Sequence, residues 1–556
     1  MALISALPNV ANAQDHTLDT PSCEALSTIV VSAEEIGLPT GGAAVGRAQM
    51  LAADDGGAEN DPDGEVQLPR PHRCLVTGEI APVDPEAPMI NFAVNLPVVW
   101  NGRALQSGGG GLGGVLISAP GNKGQGRMDP IPLDEPYPIT LGYAVFGSDG
   151  GHQSGDLQFA YNDEAMRNWA GDALKKTRDV ALTIIGGAYG RQPDRLYFTG
   201  ESAGARETLW VAQRYPQDYD GFIATSPVLN WNYIHIADGI IRDRLIEGPL
   251  SVADIALVAE NTRTACDALD GLEDGVIARY LECPNTVADL RCEDGATGEG
   301  CLSDAQIQSV NAIRQPWSMN VPMANNVIRN AGYGTTGDED GDRYQWNFYT
   351  VGAQPPAERL PAGSGFEPGV GAILGFANFW VRHAIAQDPE FEPRHFNPEL
   401  YEERIQYLSQ LFDATDPDLS GLANSGARLI VYQPSADNAV GTPMVSEWYR
   451  SVVNAIGEEM AGDVLRYYVG PGGGHNATGI TQMNTLALLE SWVEDGVAPP
   501  DALVAVDIDP VNLTRGREML TCRYPAYAHY IGDGHTETAA SFECRDRPDP
   551  MEFHPN

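Results

Sequence analysis

Apolar and polar positions alternate in short runs through the first third of the chain. Ile90-Asn-Phe-Ala-Val-Asn-Leu-Pro-Val-Val-Trp100 alternates in the manner of half-buried strands. Tyr143-Ala-Val-Phe146, which leads to Ser148-Asp-Gly-Gly-His152, and Arg195-Leu-Tyr-Phe-Thr199 are short aromatic and apolar runs that predict two more. Between them, from about Trp169 to Ile185, the residues favour a helix. A second helix is predicted over Ala205–Arg214, which has no Gly or Pro until Pro216. Strand alternating with helix is the signature of a parallel sheet, so the fold class is α/β. Residues 42–66, rich in Gly, Ala and Asp, read as a surface segment. After Asp220-Gly-Phe-Ile-Ala-Thr-Ser-Pro227 the alternation stops. From about Asn232 to Ser425 apolar spacing is irregular and Gly, Pro and Cys cluster, before strands resume at Arg428–Tyr432 and Leu465–Val469.

The turn between the Arg195 strand and the Ala205 helix carries Gly200-Glu-Ser-Ala-Gly204. A serine between glycines on a strand-to-helix turn is the nucleophile elbow of an α/β-hydrolase, in which the sharp turn lifts the hydroxyl clear of the sheet. A Gly-rich turn of no catalytic duty shares the pattern, so the partners matter. A serine needs a base to take its proton and an acid to orient that base, and in this fold the order is Ser, acid, His. Downstream of the irregular region the histidines are His475, His529, His535 and His554. His475 lies in Gly470-Pro-Gly-Gly-Gly-His-Asn476 directly after a strand, whereas His529 and His535 sit in a Cys-bounded tail. Asp437 lies in the loop past the Arg428 strand, and Asp413, Asp416 and Asp418 form a polar run read as solvated surface. The expected triad is therefore Ser202, Asp437 and His475. The amide of Ala203 is one expected oxyanion donor, and the Gly108–Gly111 run offers another, since absent side chains allow close backbone approach. The run lacks the Gly-Lys-Ser/Thr ending of a phosphate loop. The architecture expected is an α/β-hydrolase core with a large inserted lid domain. It divides as 1–20, a signal-peptide remnant or tail; 21–231, the first part of the core; 232–425, the lid; and 426–556, the second part of the core.

Composition narrows the partners. The formal charge is −42 over 556 residues, which repels nucleic acid and anionic membrane. A small molecule remains as the expected partner, and the sequence leaves the oligomeric state open. The eight cysteines are even in number and contain no Cys-x-x-Cys, so disulfides in an oxidising compartment fit better than zinc. The pairing expected is Cys23–Cys74, Cys266–Cys283, Cys292–Cys301 and Cys522–Cys544, a connectivity that sequence alone does not fix. Ala2–Leu7 is a short apolar run, and Ala11-Asn-Ala13 before Gln14 resembles a cleavage site, although no basic segment precedes it. The expected location is secreted or periplasmic, with no run long enough to span a membrane.

Several segments together resemble the tannase and feruloyl esterase family: Trp100-Asn-Gly-Arg103, Asp149-Gly-Gly-His152, Tyr197-Phe-Thr-Gly-Glu-Ser202, Ala212–Gly221, Cys522-Arg-Tyr-Pro525 and Ser541-Phe-Glu-Cys544. The resemblance covers about Cys23 to Cys544. It implies a serine esterase that forms an acyl-enzyme, with Gly111 as the second oxyanion donor. It also implies a structural Ca²⁺ in the lid, on Asp267, Asp270 and Asp274 with the carbonyls of Leu272 and Val276, an all-oxygen set of the kind calcium takes. Family substrates are gallate, hydroxycinnamate and terephthalate esters, so an aromatic or phenolic acid ester is expected here. The terephthalate branch uses a lid arginine for the free carboxylate, and its place falls near Asn378 here, which speaks against that exact substrate. The lid residues Trp346, Phe348, Phe376, Phe379 and Trp380 read equally as an aromatic pocket or as lid core. The family joins cysteines before the serine and after the histidine, but this chain has Glu201 and Asn476 there. A hydrogen bond between those two is the expected replacement. A binding module on a weakened hydrolase scaffold, an aliphatic esterase and a peptidase of the same fold are the alternatives.

Overall fold

A computed structural model describes residues 17–57, 65–118, 130–153, 157–293, 298–341, 345–360, 363, 365–476 and 478–547. Twelve strands form one sheet: β1 Val30–Val31, β2 Gly42–Leu51, β3 Arg73–Ala81, β4 Ile90–Pro97, β5 Arg103–Ser107, β6 Ala144–Ser148, β7 Arg195–Glu201, β8 Gly221–Thr225, β9 Arg428–Pro434, β10 Leu465–Gly470, β11 Ala502–Ile508 and β12 Arg515–Arg523. Their spatial order is β1-β2-β3-β4-β6-β5-β7-β8-β9-β10-β12-β11. The run from β6 to β10 is parallel, and antiparallel strands extend it on both sides.

Parallel strands are buried on both faces, which explains their nearly continuous apolar sequences. Successive residues still point to opposite sides. Leu196 and Phe198 join one hydrophobic cluster with the helices Ala173–Tyr189 and Ala203–Arg214. Tyr197 joins a second cluster with Leu486, Leu489 and Trp492 of the helix Thr485–Asp495.

The register decides where chemistry can gather. Ser107 pairs with Thr199, Glu201 with Thr225, Thr225 with Tyr432, and Pro434 with Gly470. The carboxyl ends of β5, β7, β8, β9 and β10 therefore finish side by side, where open α/β sheets hold their ligands. Between β8 and β9 the described residues add no strand to this sheet. It forms helices including Trp231–Glu247, Val252–Cys266, Asp304–Arg314, Ala372–Phe379 and Glu402–Phe412, whose apolar faces continue the first cluster.

Two expectations are corrected. Residues 42–51 lie largely at the surface, as expected, but form a ten-residue strand paired with β1 and β3. Small residues obscured it, although Gly42, Ala43 and Val45 are buried against the sheet's neighbours. The helix expected at 169–185 begins regularly at Ala173 and runs to Tyr189, where Gly190 ends it with φ +71°. Residues 1–16, which hold the cleavage-like motif, lie outside the described residues. All four disulfides form as Cys23–Cys74, Cys266–Cys283, Cys292–Cys301 and Cys522–Cys544. Among the described residues no helix is long and apolar enough to cross a membrane.

Candidate active site

Ser202 stands where β7 turns into the helix Ala203–Arg214, with φ +57° and ψ −121°. A non-glycine residue is rarely held there, and such strain persists only where surrounding structure fixes it. Here the Ser202 amide donates to Thr225 O at 3.0 Å. A Cβ on Gly204 would stand 2.3 Å from Gly109 O, so the second glycine of the motif is required by close packing against the glycine run.

The loop after β9 carries Asp437, which is fully buried. One carboxylate oxygen accepts from the amides of Ala439 and Val440, both at 2.8 Å, which fixes its orientation. The other accepts from His475 Nδ1 at 2.9 Å. A carboxylate only accepts, so the His475 proton sits on Nδ1 and leaves Nε2 as an acceptor. Nε2 lies 3.0 Å from Ser202 Oγ, within reach of its hydrogen. Burial disfavours the imidazolium, but the charge and hydrogen bond of Asp437, with the charge of Glu201, overcome it and raise the pKa of His475. The histidine loop is tied to the acid loop by Ala436 N→Gly473 O at 3.0 Å and Ser435 N→Gly470 O at 2.8 Å.

The glycine run follows β5 and faces the elbow. Gly108 donates to Thr199 O at 2.9 Å, Gly109 to Glu207 at 2.8 Å and Gly113 to Gly110 O at 2.9 Å. Among the described residues the amides of Gly110 and Gly111 donate to nothing. Gly111 adopts φ +53°, and Phe376 approaches to 3.9 Å of the place its Cβ would take. Ala203 is the first residue of its helix, so its amide has no partner within that helix. The free amides and the serine thus belong to two adjoining strand ends.

Sequence reasoning missed or misplaced several residues. Tyr349, half-buried, stands 5.6 Å ring to ring from His475, and 6.3 Å from Phe376. Tyr349 follows Trp346 and Phe348 in one short aromatic run, and nothing local says which of the three will stand beside the site. Trp346, Phe379 and Trp380 are lid core, Phe376 is half-buried beside Gly111, and Phe348 is exposed. Asp413 is not solvated surface: it is buried, accepts from Asn232 N at 3.0 Å and from Ser409 Oγ, and burial pushes its pKa up to about 6. Glu201 is buried but makes no hydrogen bond to Asn476 among those described; it reaches the site through its charge on His475. Asn378 is buried and donates to Gly365 O at 3.0 Å.

Asp267, Asp270 and Asp274 lie on a turn that Gly271 and Gly275 bend with φ +97° and +85°. Asp267 accepts from Gly275 N at 2.9 Å and Asp274 N at 3.2 Å, and Asp270 from Ala278 N at 3.1 Å. Asp274 is ion-paired with Arg517. Burial pushes the Asp270 carboxyl up to about 7, and the charges of Asp274 and Asp267 add to it. Mutually repelling carboxylates in an all-oxygen loop suit a hard cation. Among the described residues, however, no three acidic, His or Cys side chains stand in a ready metal cage. The donor chemistry fits calcium; the arrangement would have to close on it.

The family model for tannase and feruloyl esterase matches residues 74–545. An uncharacterized esterase of Agrobacterium fabrum is 32% identical over 540 residues, spanning 94% of this chain and 93% of its own. The mono(2-hydroxyethyl) terephthalate hydrolase of Piscinibacter sakaiensis is 27% identical over 532 residues, 86% of this chain and 85% of its own. Among solved structures, feruloyl esterase B from Aspergillus oryzae superposes with a TM-score of 0.74 at 20% identity, covering 95% of this chain and 100% of that one.

Proposed function

The chain belongs to the tannase and feruloyl esterase family and is a carboxylic ester hydrolase, and from that premise we propose that it cleaves esters of aromatic or phenolic acids through an acyl-enzyme on Ser202. The observation that carries the mechanism is the continuous contact from Asp437 through His475 to Ser202, at 2.9 and 3.0 Å.

Ser202 Oγ attacks the ester carbonyl carbon while His475 Nε2 takes its proton. The carbonyl oxygen becomes an oxyanion, which the amides of Gly111 and Ala203 meet. The C–O bond to the alcohol then breaks, and the imidazolium returns its proton to the departing oxygen. Water, deprotonated by His475, attacks the acyl-serine and releases the acid. Asp437 holds Nδ1–H throughout and stabilises the positive charge on the ring. The aromatic acyl group is supported by Phe376 beside Gly111 and Tyr349 beside His475, which offer apolar faces next to the reacting carbon.

Two further readings accompany this one. The loop of Asp267, Asp270 and Asp274, with the Leu272 and Val276 carbonyls, would hold a structural Ca²⁺, which would neutralise carboxylate charge in the loop. Four disulfides support a secreted or periplasmic location, where oxidised cysteines persist.

The test is hydrolysis of p-nitrophenyl acetate and butyrate beside methyl gallate and methyl ferulate, by wild type and Ser202→Ala. The expected result is hydrolysis by the wild type, loss of activity in the variant and preference for an aromatic acid ester. Preference for butyrate would assign an aliphatic acyl group. Equal rates for the two proteins on every ester would refute the nucleophile.

A further inference from the structure

The Asp149-Gly-Gly-His152 turn and Glu207 take no part in the triad, yet both reach the glycine run. Glu207 lies just past Ser202 on the same helix and is buried. Its Oε2 accepts from Gly109 N at 2.8 Å. The same oxygen is 2.9 Å from the place of a Cβ on Gly108, so a side chain there would collide with it. Arg206, equally buried, holds its guanidinium 3.6 Å from Glu207 Oε1.

Just past the other end of the run, His152 Nε2 lies 2.8 Å from Leu112 O. A carbonyl only accepts, so Nε2 carries the proton and donates. The imidazole is itself held, stacked 4.0 Å from Phe159 and edge-on to Trp169 at 5.4 Å. The turn bearing it is fixed by the Asp149 carboxylate, which accepts from Asn91 N at 3.1 Å, Gly151 N at 2.9 Å and Gln153 Nε2 at 2.8 Å. Asp149 O also accepts from Gly114 N at 3.2 Å.

The run is therefore gripped at Gly109 and again at Leu112, and Gly110 and Gly111 lie between the grips with their amides free. Four consecutive glycines have the greatest backbone freedom of any sequence. Oxyanion donors work only if they are already in place when charge develops. We propose that Glu207 and His152 are positioning residues that clamp the glycine run from both sides, so that the Gly111 amide is preorganised for the oxyanion. This rests on the acyl-enzyme reading above.

The clamp serves the transition state and not the bound ester, so its loss lowers kcat with little change in KM. Glu207→Leu removes the acceptor, Glu207→Gln keeps one, and His152→Phe keeps the aromatic stack but removes the donor. On the best ester of the panel, Glu207→Leu lowers kcat about 100-fold, the order seen when one oxyanion donor is lost. His152→Phe lowers it about tenfold or more, KM stays within about threefold in both, and Glu207→Gln stays within about fivefold of wild type. Inactivation by an aryl phosphonate, whose serine adduct places an oxygen at the oxyanion position, slows in parallel with kcat. Melting temperature and near-ultraviolet circular dichroism verify folding, and if Glu207→Leu fails to fold, His152→Phe decides. Folded variants of an active enzyme with kcat within about threefold of wild type overturn the clamp alone. Glu207→Gln as slow as Glu207→Leu also overturns it, assigning the effect to charge beside Arg206. A wild type that hydrolyses no ester overturns the acyl-enzyme reading and the clamp with it.

Discussion

Replacing Asp437 by Asn changes one atom and reverses the logic of the triad. In the native site one carboxylate oxygen takes two backbone N–H groups at 2.8 Å and the other takes His475 Nδ1 at 2.9 Å, in full burial. An amide nitrogen facing Ala439 N and Val440 N would leave buried donors opposed to a donor, at roughly 1–3 kcal/mol for each unsatisfied group. The Asn oxygen therefore keeps the backbone pair, and its NH₂ turns to His475. Nδ1 must now accept, which moves the ring proton to Nε2, the atom facing Ser202. That atom can no longer take the serine proton. The expected loss in kcat is about 10⁴-fold, the order found when a triad acid is made an amide in a serine protease, which corresponds to about 5 kcal/mol of barrier. The assay is steady-state hydrolysis of the preferred ester at alkaline pH, with melting temperature as the folding control. A folded Asp437→Asn enzyme within about tenfold of wild type would refute the assignment.

Two further outcomes follow from charge. The base must be neutral to act, so activity falls as pH drops through the pKa of His475, which lies above the ordinary 6.5. The acid limb of kcat/KM reports that value in the free enzyme. Glu201→Gln removes one of the charges that raise it and moves the limb to lower pH; an unmoved or upward-shifted limb would exclude the charge effect. Chelation of calcium is expected to lower the melting temperature and added Ca²⁺ to restore it, with stabilisation of about 2.7 kcal/mol when the ion is at roughly 100 times its Kd. Asp270→Asn abolishes the response, and a melting temperature indifferent to chelator and to calcium would remove the ion from the loop.

The elbow was readable because it is local. Gly200-Glu-Ser-Ala-Gly204 needs only neighbouring residues to make its turn, and strand and helix propensities on either side say which way it runs. Asp437 and His475 were readable as candidates because each follows a strand, and a parallel sheet aligns strand ends. Three of the four disulfides join cysteines 22 residues apart or fewer, whereas Cys23–Cys74 spans 51. Asp413 misled because its polar neighbours suggest water, whereas Asn232 comes from 181 residues away to satisfy it. The strand over 42–51 was hidden by its small residues, and pairing with β3 along its length defines it.

The sequence by itself determined the α/β class, the order of the candidate triad and the glycine run. Each is set by periodicity or turn chemistry, both properties of a contiguous segment. Only the tertiary structure decided which amides of the run stay free, which lid aromatics stand beside His475 and Gly111, and that Glu207 and His152 hold the run and the residue after it. Those contacts join β5, β7 and the lid across many residues of chain, and they exist because the sheet register brings five strand ends together. No local pattern encodes that register; it is settled when both faces of the sheet are buried at once.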